Sequence, residues 1–197
     1  MFGTSGRDLP IIDVIVPVFR GLEETRRCLQ SVLSSTSSAR FELVAVDDCS
    51  PEPEVAALLD ELAAAGQLTL LRNEVNRGFV ASVNRGLGLH PDRDVVLLNS
   101  DTEVANDWLD RLQRAAHSAP DVATVTPLSN NGTICSYPFE DWGGAVPGSM
   151  GLAALDRLIA ETMAGEYADL PTGVGFCIFI RRDCLDAVGL FDEEHFG

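Results

Sequence analysis

The sequence contains no lysine. All 14 basic residues among its 197 are arginine, against 30 acidic residues, which gives a net charge of −16. Without lysine, the chain cannot form a lysine Schiff base with a carbonyl substrate and cannot supply the lysine of a P-loop. The acidity argues against a general nucleic-acid-binding protein, because neutralising phosphates requires a surplus of basic side chains.

The cysteine spacing and the hydropathy pattern exclude further classes. The five cysteines include no CxxC pair, so their spacing predicts neither a zinc site nor a disulfide framework, and a reducing compartment is expected. No apolar run reaches the roughly 18 residues of a membrane span, and we expect no signal peptide. We therefore expect a cytoplasmic protein, with peripheral association at the inner face of the membrane as an open alternative.

Apolar segments of two lengths alternate along the chain and predict an α/β fold. Short β-branched runs predict strands, and apolar residues at helical spacing predict helices between them. Strands that alternate with helices of about 10 to 15 residues are typical of βαβ units and a mostly parallel sheet. The strands are predicted at 13–19, 41–46, 68–71, 94–98, 122–126 and 173–180, and a loop rich in Asn, Gly, Pro and Ser occupies 128–151.

Polar residues cluster where the predicted strands end, which is where an open parallel sheet binds its ligands. The first, second and fourth strands end in PVFR, DD and NSD. The chain has no GxGxxG after the first strand, which argues against a dinucleotide site. A phosphate site without such a cradle can use Mg²⁺ or Mn²⁺ held by carboxylates. Asn99 and Asp101, at i and i+2, project to the same side and could reach one ion; alternatively, they are turn residues that close the strand.

The order of these motifs resembles glycosyltransferase family 2, whose members use nucleotide-sugar donors and have the GT-A fold. IVPVF, VAVDDCS, NRGFVASVNRG and VLLNSDTEV follow one another, and TGVGFCIFIRRDCLDAVGLFDEEHFG resembles the acceptor-side segment of the family. The resemblance is greatest to bacterial rhamnosyltransferase-like members that build cell-surface polysaccharide. It implies a GT-A-type, Rossmann-like αβα sandwich with a mostly parallel central sheet.

The resemblance also implies a division of the chain. Residues 1–10 are expected to be a disordered tail or a remnant of expression, and residues 11–197 a GT-A glycosyltransferase domain. Its nucleotide-sugar-binding half is 11–127, and its acceptor-side half, 128–197, is expected to be incomplete at the C-terminus. The general base of the family lies a few residues beyond the FDExxFG stretch. We therefore expect the base beyond Gly197 and expect these 197 residues alone to be inactive.

The resemblance assigns donor-side roles residue by residue. Asp48 matches the carboxylate that accepts a hydrogen bond from N3–H of uracil or thymine, and Asp47 beside it orders the turn. Asp101 matches the last Asp of the DxD motif, which binds the metal ion, Mg²⁺ or Mn²⁺, and the diphosphate. Asn99 departs from that motif and leaves one formal charge fewer on the ion. The other positions assigned to the nucleotide-sugar site are Pro17, Phe19, Asn76, Asn84 and Gly78, the last permitting close backbone approach.

On the acceptor side, Gly173 and Gly175 leave room for a sugar, although tight strand packing explains Gly175 equally well. Asp141 and Trp142 in the variable loop are an aromatic–carboxylate pair of the kind that binds a sugar ring. The implied partners are a UDP- or dTDP-sugar and a saccharide or lipid-linked acceptor, and the oligomeric state stays open. The implied activity is inverting glycosyl transfer. The alternative is a non-catalytic nucleotide-sugar-binding or interaction domain that retains the fold.

Overall fold

The computed structural model describes residues 10–137, 150–170 and 172–196. Its strands are β1 Ile12–Val18, β2 Phe41–Asp47, β3 Thr69–Arg72, β4 Val95–Leu98, β5 Thr124–Val125 and β6 Cys177–Ile180. Its helices are α1 Leu22–Leu33, α2 Pro53–Ala64, α3 Gly78–Leu87, α4 Trp108–Ala116, α5 Leu152–Thr162, α6 Arg182–Val188 and α7 Glu193–Phe196, with a 3-10 turn at Thr133–Cys135. None of the helices in these ranges combines the length and the apolar character needed to cross a membrane.

The strands form one sheet in the order β3-β2-β1-β4-β6-β5. β1 pairs in parallel with β2 and β4, and β2 pairs in parallel with β3. β6 runs antiparallel to both β4 and β5. The mostly parallel α/β sheet expected from the sequence is therefore confirmed. Because β6 is reversed, it begins at the edge where β1, β2 and β4 end, and residues 173–176 reach that same edge.

Two hydrophobic clusters cover the two faces of the sheet. On one face, Ile12, Val14, Val16 and Val18 of β1 pack with residues of α1, α2 and α4. On the other face, Ile15 packs with residues of α3 and α6. Neighbouring residues of a strand point to opposite faces, so a strand covered on both faces is apolar at nearly every position. The unbroken apolar run of β1 is thus explained by its central place in an αβα sandwich.

The predicted and observed element bounds differ most at the last two strands. β5 covers two residues rather than 122–126, and β6 begins at Cys177 rather than at Gly173. Residues 173–176 are therefore a non-strand approach to β6, and they are available to line the edge of the sheet.

Gly86 sets the distance between α3 and β1. A Cβ built at Gly86 would lie 2.6 Å from Cγ2 and 3.2 Å from Cδ1 of Ile15, a residue with no exposed surface. The small side chain therefore allows the helix to approach the sheet closely.

We expect Gly86→Ala to lower the free energy of unfolding by about 1–2 kcal/mol in urea titrations. Overpacking a core costs about 1–3 kcal/mol, which exceeds the gain of about 1 kcal/mol from the better helix propensity of alanine. Gly88→Ala is the matched control, because a Cβ there would meet only backbone oxygens, the nearest at 3.5 Å. Equal stability of the two variants would contradict this account of α3 packing.

Candidate functional site

A cavity of about 830 Å³ opens at the carboxyl edge of the sheet. Its walls come from the ends of β1, β2 and β4, from α1, from the N-terminal part of α3 and from the approach to β6. The lining residues are Pro17, Val18, Phe19, Arg20, Gly21, Glu24, Asp48, Asn76, Gly78, Phe79, Ser82, Asn99, Ser100, Asp101, Gly175 and Phe176. The crevice beyond the carboxyl ends of the strands is the usual ligand site of an open α/β sheet.

Most residues that the sequence assigned to the site lie around this one cavity. They are Pro17, Phe19, Asp48, Asn76, Gly78, Asn99, Asp101 and Gly175. Sequence reasoning missed Arg20, Phe79 and Phe176 as lining residues, although each directly follows an assigned residue. That adjacency was the available signal, since the loops after β1 and before α3 and β6 turn over the cavity.

Asp48 connects the end of β2 to the N-terminus of α3. Its Oδ1 accepts hydrogen bonds from the backbone N–H of Arg77 at 2.8 Å and from Nδ2 of Asn73 at 2.7 Å. Its Oδ2 accepts one from the backbone N–H of Gly78 at 2.9 Å. A negative charge is favoured at a helix N-terminus, where unpaired N–H groups point outward.

The same contacts set the ionisation of Asp48. Burial acts to raise its pKa, but the hydrogen bonds from Arg77, Asn73, Gly78 and Ser82 outweigh burial and hold the pKa below its ordinary value. The side chain is therefore a carboxylate at neutral pH. This carboxylate forms part of the cavity wall.

Asp47 was assigned to the nucleotide-sugar site with the role of ordering the turn, and its contacts are to Ser50 and Arg72. Its Oδ1 accepts a hydrogen bond from the backbone N–H of Ser50 at 2.8 Å, and its Oδ2 pairs with Nε of Arg72 at 2.7 Å. Asp47 does not line the cavity, because consecutive strand residues project to opposite sides. Its carboxylate orders the turn that places Asp48.

Asn84 is not where the sequence predicted it. It was assigned to the nucleotide site, but its Nδ2 donates to the carbonyl of Phe191 at 2.8 Å and to Oε1 of Glu193 at 2.9 Å. Its Oδ1 accepts from the backbone N–H of Phe191 at 3.0 Å. Two residues along a helix correspond to a rotation of about 200°, so Asn84 faces away from the cavity-lining Ser82.

The NSD segment is fixed by its backbone, while its side chains are left for a ligand. The N–H of Asn99 donates to the carbonyl of Phe176 at 2.9 Å, and its carbonyl accepts from the thiol of Cys28 at 3.4 Å. Burial, assisted by the charge of Asp101, raises the pKa of Cys28 to about 12, so the thiol stays protonated. Asp101 is exposed, and no residue in the described ranges donates a hydrogen bond to its carboxylate or forms an ion pair with it.

The physical constraint on a side chain differs among three glycine positions in or near the site. Gly78 has a φ of 83°, which favours glycine, and a Cβ there would meet nothing within 4 Å. The left-handed backbone, rather than a close approach within the fold, therefore explains this glycine. A Cβ on Gly175 would also meet nothing within 4 Å, whereas one on Gly173 would lie 2.5 Å from Cδ1 of Ile178. Tight packing thus applies to Gly173, which does not line the cavity, and not to Gly175.

A second group of potential cation ligands lies at the opposite edge of the sheet. Asp13, Glu42 and His90 bring ligand atoms within 4.8 Å of one another. Arg93 already bridges this group, with NH1 2.8 Å from Oδ1 of Asp13 and 2.7 Å from Oε2 of Glu42. Hydrogen bonds from Thr69 and Arg93 lower the pKa of Glu42. This group lies at the start of β1 and β2, far along the strands from the cavity.

Asp141 and Trp142, assigned to the acceptor side, lie outside the described residues, so their role stays a prediction.

A family model described as Glycosyl transferase family 2 matches residues 13–189. The chain belongs to this family. The match covers the donor-side motifs, β6 and α6, and the resemblance seen in the sequence is confirmed.

Curated relatives agree with this membership. Glycosyltransferase AglE of Haloferax volcanii is 27% identical over 94% of this chain and 57% of its own length. The O-antigen biosynthesis protein RfbC of Myxococcus xanthus is 26% identical over 95% of this chain and 15% of its own. The chain thus spans only part of the curated relatives it matches.

Two solved structures share the fold. The mannosyltransferase PcManGT from Pyrobaculum calidifontis, in complex with GDP-Man and Mn²⁺, superposes with a TM-score of 0.67 at 19% identity, over 94% of this chain and 48% of that one. S. aureus TarS 1–349 in complex with UDP gives 0.63 at 20% identity, over 93% and 50%. The expected GT-A fold is confirmed.

We expect Asp48→Asn to lower the free energy of unfolding by about 1.5–3 kcal/mol at neutral pH, because it removes the charge from hydrogen bonds that a buried carboxylate accepts from Arg77, Gly78 and Asn73. The folded-state pKa of Asp48 is depressed. Its contribution is therefore complete above the unfolded-state pKa of about 3.9 and is lost as pH falls through the folded-state pKa. Urea titrations should show the difference from the parent shrinking between neutral pH and about pH 3.

Asp101→Asn is the control for this stability effect. Because Asp101 is exposed and has no partner in the described part of the chain, its substitution should change the unfolding free energy by less than about 0.5 kcal/mol. Comparable losses in both variants would show that Asp48 is not the structural carboxylate described above.

Proposed function

We propose that this cavity binds the donor of an inverting glycosyl transfer, a UDP- or dTDP-linked hexose or rhamnose. The observation that carries the proposal is the pairing of two unlike carboxylates in one cavity: Asp48 is buried and held by N–H groups, while Asp101 is exposed and unengaged. Family membership supports the donor class. The proposed acceptor is a saccharide or a lipid-linked saccharide in cell-surface polysaccharide synthesis, and an O-antigen biosynthesis protein among the relatives supports it.

The nucleobase end of the cavity is proposed at Asp48, Pro17 and Phe19. Asp48 lines the cavity as a carboxylate, an acceptor of the kind that suits the N3–H donor of uracil or thymine. Phe19 offers an aromatic face at the end of β1, and Cζ of Arg20 lies 5.0 Å from the centre of its ring. TarS was solved with UDP, which supports a pyrimidine, while GDP-Man in PcManGT makes a purine the competing outcome of the test.

The diphosphate end is proposed at the NSD segment. Asp101, with the side-chain oxygens of Asn99 and Ser100 in the same lining, is an all-oxygen donor set, which suits Mg²⁺ or Mn²⁺. The ion supplies charge stabilisation of the leaving diphosphate when it is bound. Among the lining residues that the structure describes, Arg20 is the one cation, so Arg20 is proposed to bind the anionic diphosphate beside the ion.

We assign no general base within the described residues. Asp192 binds the backbone N–H groups of Glu194 and His195, and Glu193 binds Asn84, so two acidic side chains of this segment are already engaged. We therefore propose donor binding, rather than transfer, as the activity of these 197 residues. The alternative function, a non-catalytic nucleotide-sugar-binding domain, shares that activity. A lipid-linked acceptor would place either form at the cytoplasmic face of the membrane.

Calorimetry with UDP, dTDP and GDP, each with and without Mn²⁺, tests the proposal. We expect UDP or dTDP to bind, and Mn²⁺ to strengthen binding. Asp101→Ala should abolish the effect of Mn²⁺, because it removes the carboxylate ligand. Asp48→Ala should reduce the preference for pyrimidine over purine by about tenfold or more, the value of a charge-assisted hydrogen bond.

Asp101→Ala and Asp48→Ala should lose different properties, the response to Mn²⁺ and the base preference, since the two side chains are proposed to face different parts of the nucleotide. Asp101→Asn, which keeps the shape but not the charge, is the matched control for the metal effect. If no pyrimidine diphosphate gives heat, or if GDP binds best, the proposed donor class is wrong. An unchanged base preference in Asp48→Ala would remove only the assignment of the nucleobase.

Gly175 is proposed to leave space for the sugar. We expect Gly175→Leu to weaken binding of UDP-sugars about tenfold or more, since a side chain there extends into the open cavity. UDP itself should lose less affinity, and the melting temperature should stay within a few degrees. Gly151→Leu is the control, because a Cβ there also meets nothing within 4 Å and Gly151 does not line the cavity. Equal losses for UDP and UDP-sugars would contradict a sugar site at Gly175.

A further inference from the structure

Residues 189–196, here called the FDE segment, are only partly buried. Every residue from 186 to 196 is exposed, but Phe191 keeps 39% of its surface accessible while Phe196 keeps 76%. Asp192 organises the segment internally: its Oδ1 accepts hydrogen bonds from the N–H groups of Glu194 at 2.9 Å and His195 at 3.0 Å. With so little of the segment buried, the hydrogen bonds that join it to the rest of the fold contribute to its position beside the packing of Phe191.

Asn84 makes the direct connection. It is 9% exposed, and it uses both hydrogens of Nδ2 and its Oδ1 on two residues of the FDE segment, Phe191 and Glu193. The amide thus binds the backbone of Phe191 through its N–H and its carbonyl, as a neighbouring strand would. Any residue other than asparagine loses at least one of these three hydrogen bonds at an unchanged distance.

The helix that carries Asn84 also forms a wall of the donor cavity. Gly78, Phe79 and Ser82 of α3 line the cavity, and the N–H groups of Arg77 and Gly78 hold Asp48. Arg77 reaches the FDE segment as well, with NH2 3.6 Å from Oε2 of Glu193. One helix therefore contacts the cavity on one side and the FDE segment on another.

We propose that Asn84 is a positioning residue that couples the FDE segment to the donor cavity, so that a nucleotide bound in the cavity orders the FDE segment. The inference rests on the proposed donor binding. A ligand that contacts Asp48 and Gly78 restrains the first turn of α3, and the hydrogen bonds of Asn84 and the ion pair of Arg77 pass that restraint to Phe191 and Glu193. The acceptor-side segment is then more strongly restrained when the donor is present.

Amide hydrogen exchange of the full 197-residue chain, with and without UDP and Mn²⁺, tests the coupling. In the parent, nucleotide should slow exchange at Arg77, Gly78 and Phe191. In Asn84→Asp, the carboxylate cannot donate to Phe191 or Glu193 and repels Glu193. Exchange at Phe191 should become about tenfold faster, since the two hydrogen bonds that Asn84 donates are lost. Its protection by nucleotide should disappear, while UDP affinity and protection at Arg77 and Gly78 persist.

A complementary substitution separates positioning from a general loss of structure. Asn84→Asp combined with Glu193→Gln reverses donor and acceptor, because the new amide can donate to the new carboxylate. The double variant should recover a large part of the Phe191 protection, including its response to nucleotide. Glu193→Gln alone is the matched control: it loses the ion pair with Arg77, but its amide oxygen still accepts from Asn84, so most of the Phe191 protection should remain. If Asn84→Asp does not fold, Glu193→Ala removes one of the three hydrogen bonds of Asn84 and the ion pair with Arg77 at an exposed residue, and it should reduce the response at Phe191.

The outcomes distinguish this inference from the proposed function. Protection by nucleotide at Arg77 and Gly78 but not at Phe191 in the parent would overturn the coupling and leave donor binding intact. A double variant no better protected than Asn84→Asp would also overturn it. Absence of both heat and protection anywhere with UDP, dTDP or GDP would overturn the proposed donor binding, and the coupling with it.

Discussion

The contact between the Asp48 carboxylate and the first N–H groups of α3 is the interaction on which the site depends. It joins the end of β2 to the start of a helix from another part of the chain, 29 and 30 residues away at Arg77 and Gly78. The glycine is needed because the chain enters α3 at a φ of 83°. Since the carboxylate satisfies N–H groups that a helix leaves unpaired, the site and the helix stabilise each other. The position of the cavity wall follows from this contact.

The sequence predicted the sheet well because the information is local in β1 and β4, which are apolar at nearly every position. It did not predict the direction of β6. That direction depends on the edge at which the long connection after β5 returns, which no local pattern encodes. Asn84 illustrates the same limit within a motif. The sequence correctly places Asn84 in the same helix as Gly78 and Ser82. Whether its amide faces a ligand or Phe191 depends on a segment more than 100 residues away.

In this acidic chain, two carboxylates at the amino edge of the sheet are ion-paired, whereas the exposed Asp101 of the cavity is not paired with any described residue. At the amino edge of the sheet, Asp13 is 1% exposed and is paired with Arg93 and His90, and Arg93 also pairs with Glu42. These ion pairs raise the pKa of Arg93 and, with Thr69, lower that of Glu42. At the carboxyl edge, Asp101 has no such partner among the described residues. In the proposed donor site, a divalent ion would bind this carboxylate.

The packing of α3 explains why one helix can serve both the cavity and the FDE segment. Gly86 lets the helix lie against Ile15 with no intervening side chain, so the helix is supported along its length by the central strand. Its N-terminus is fixed by Asp48, and Asn84 projects from a different side toward Phe191. A helix supported at both places moves as a unit, because packed interiors transmit displacement rather than absorb it. The exposed FDE segment has no comparable support, so its position follows that of α3, and a ligand that contacts Asp48 and Gly78 would restrain both.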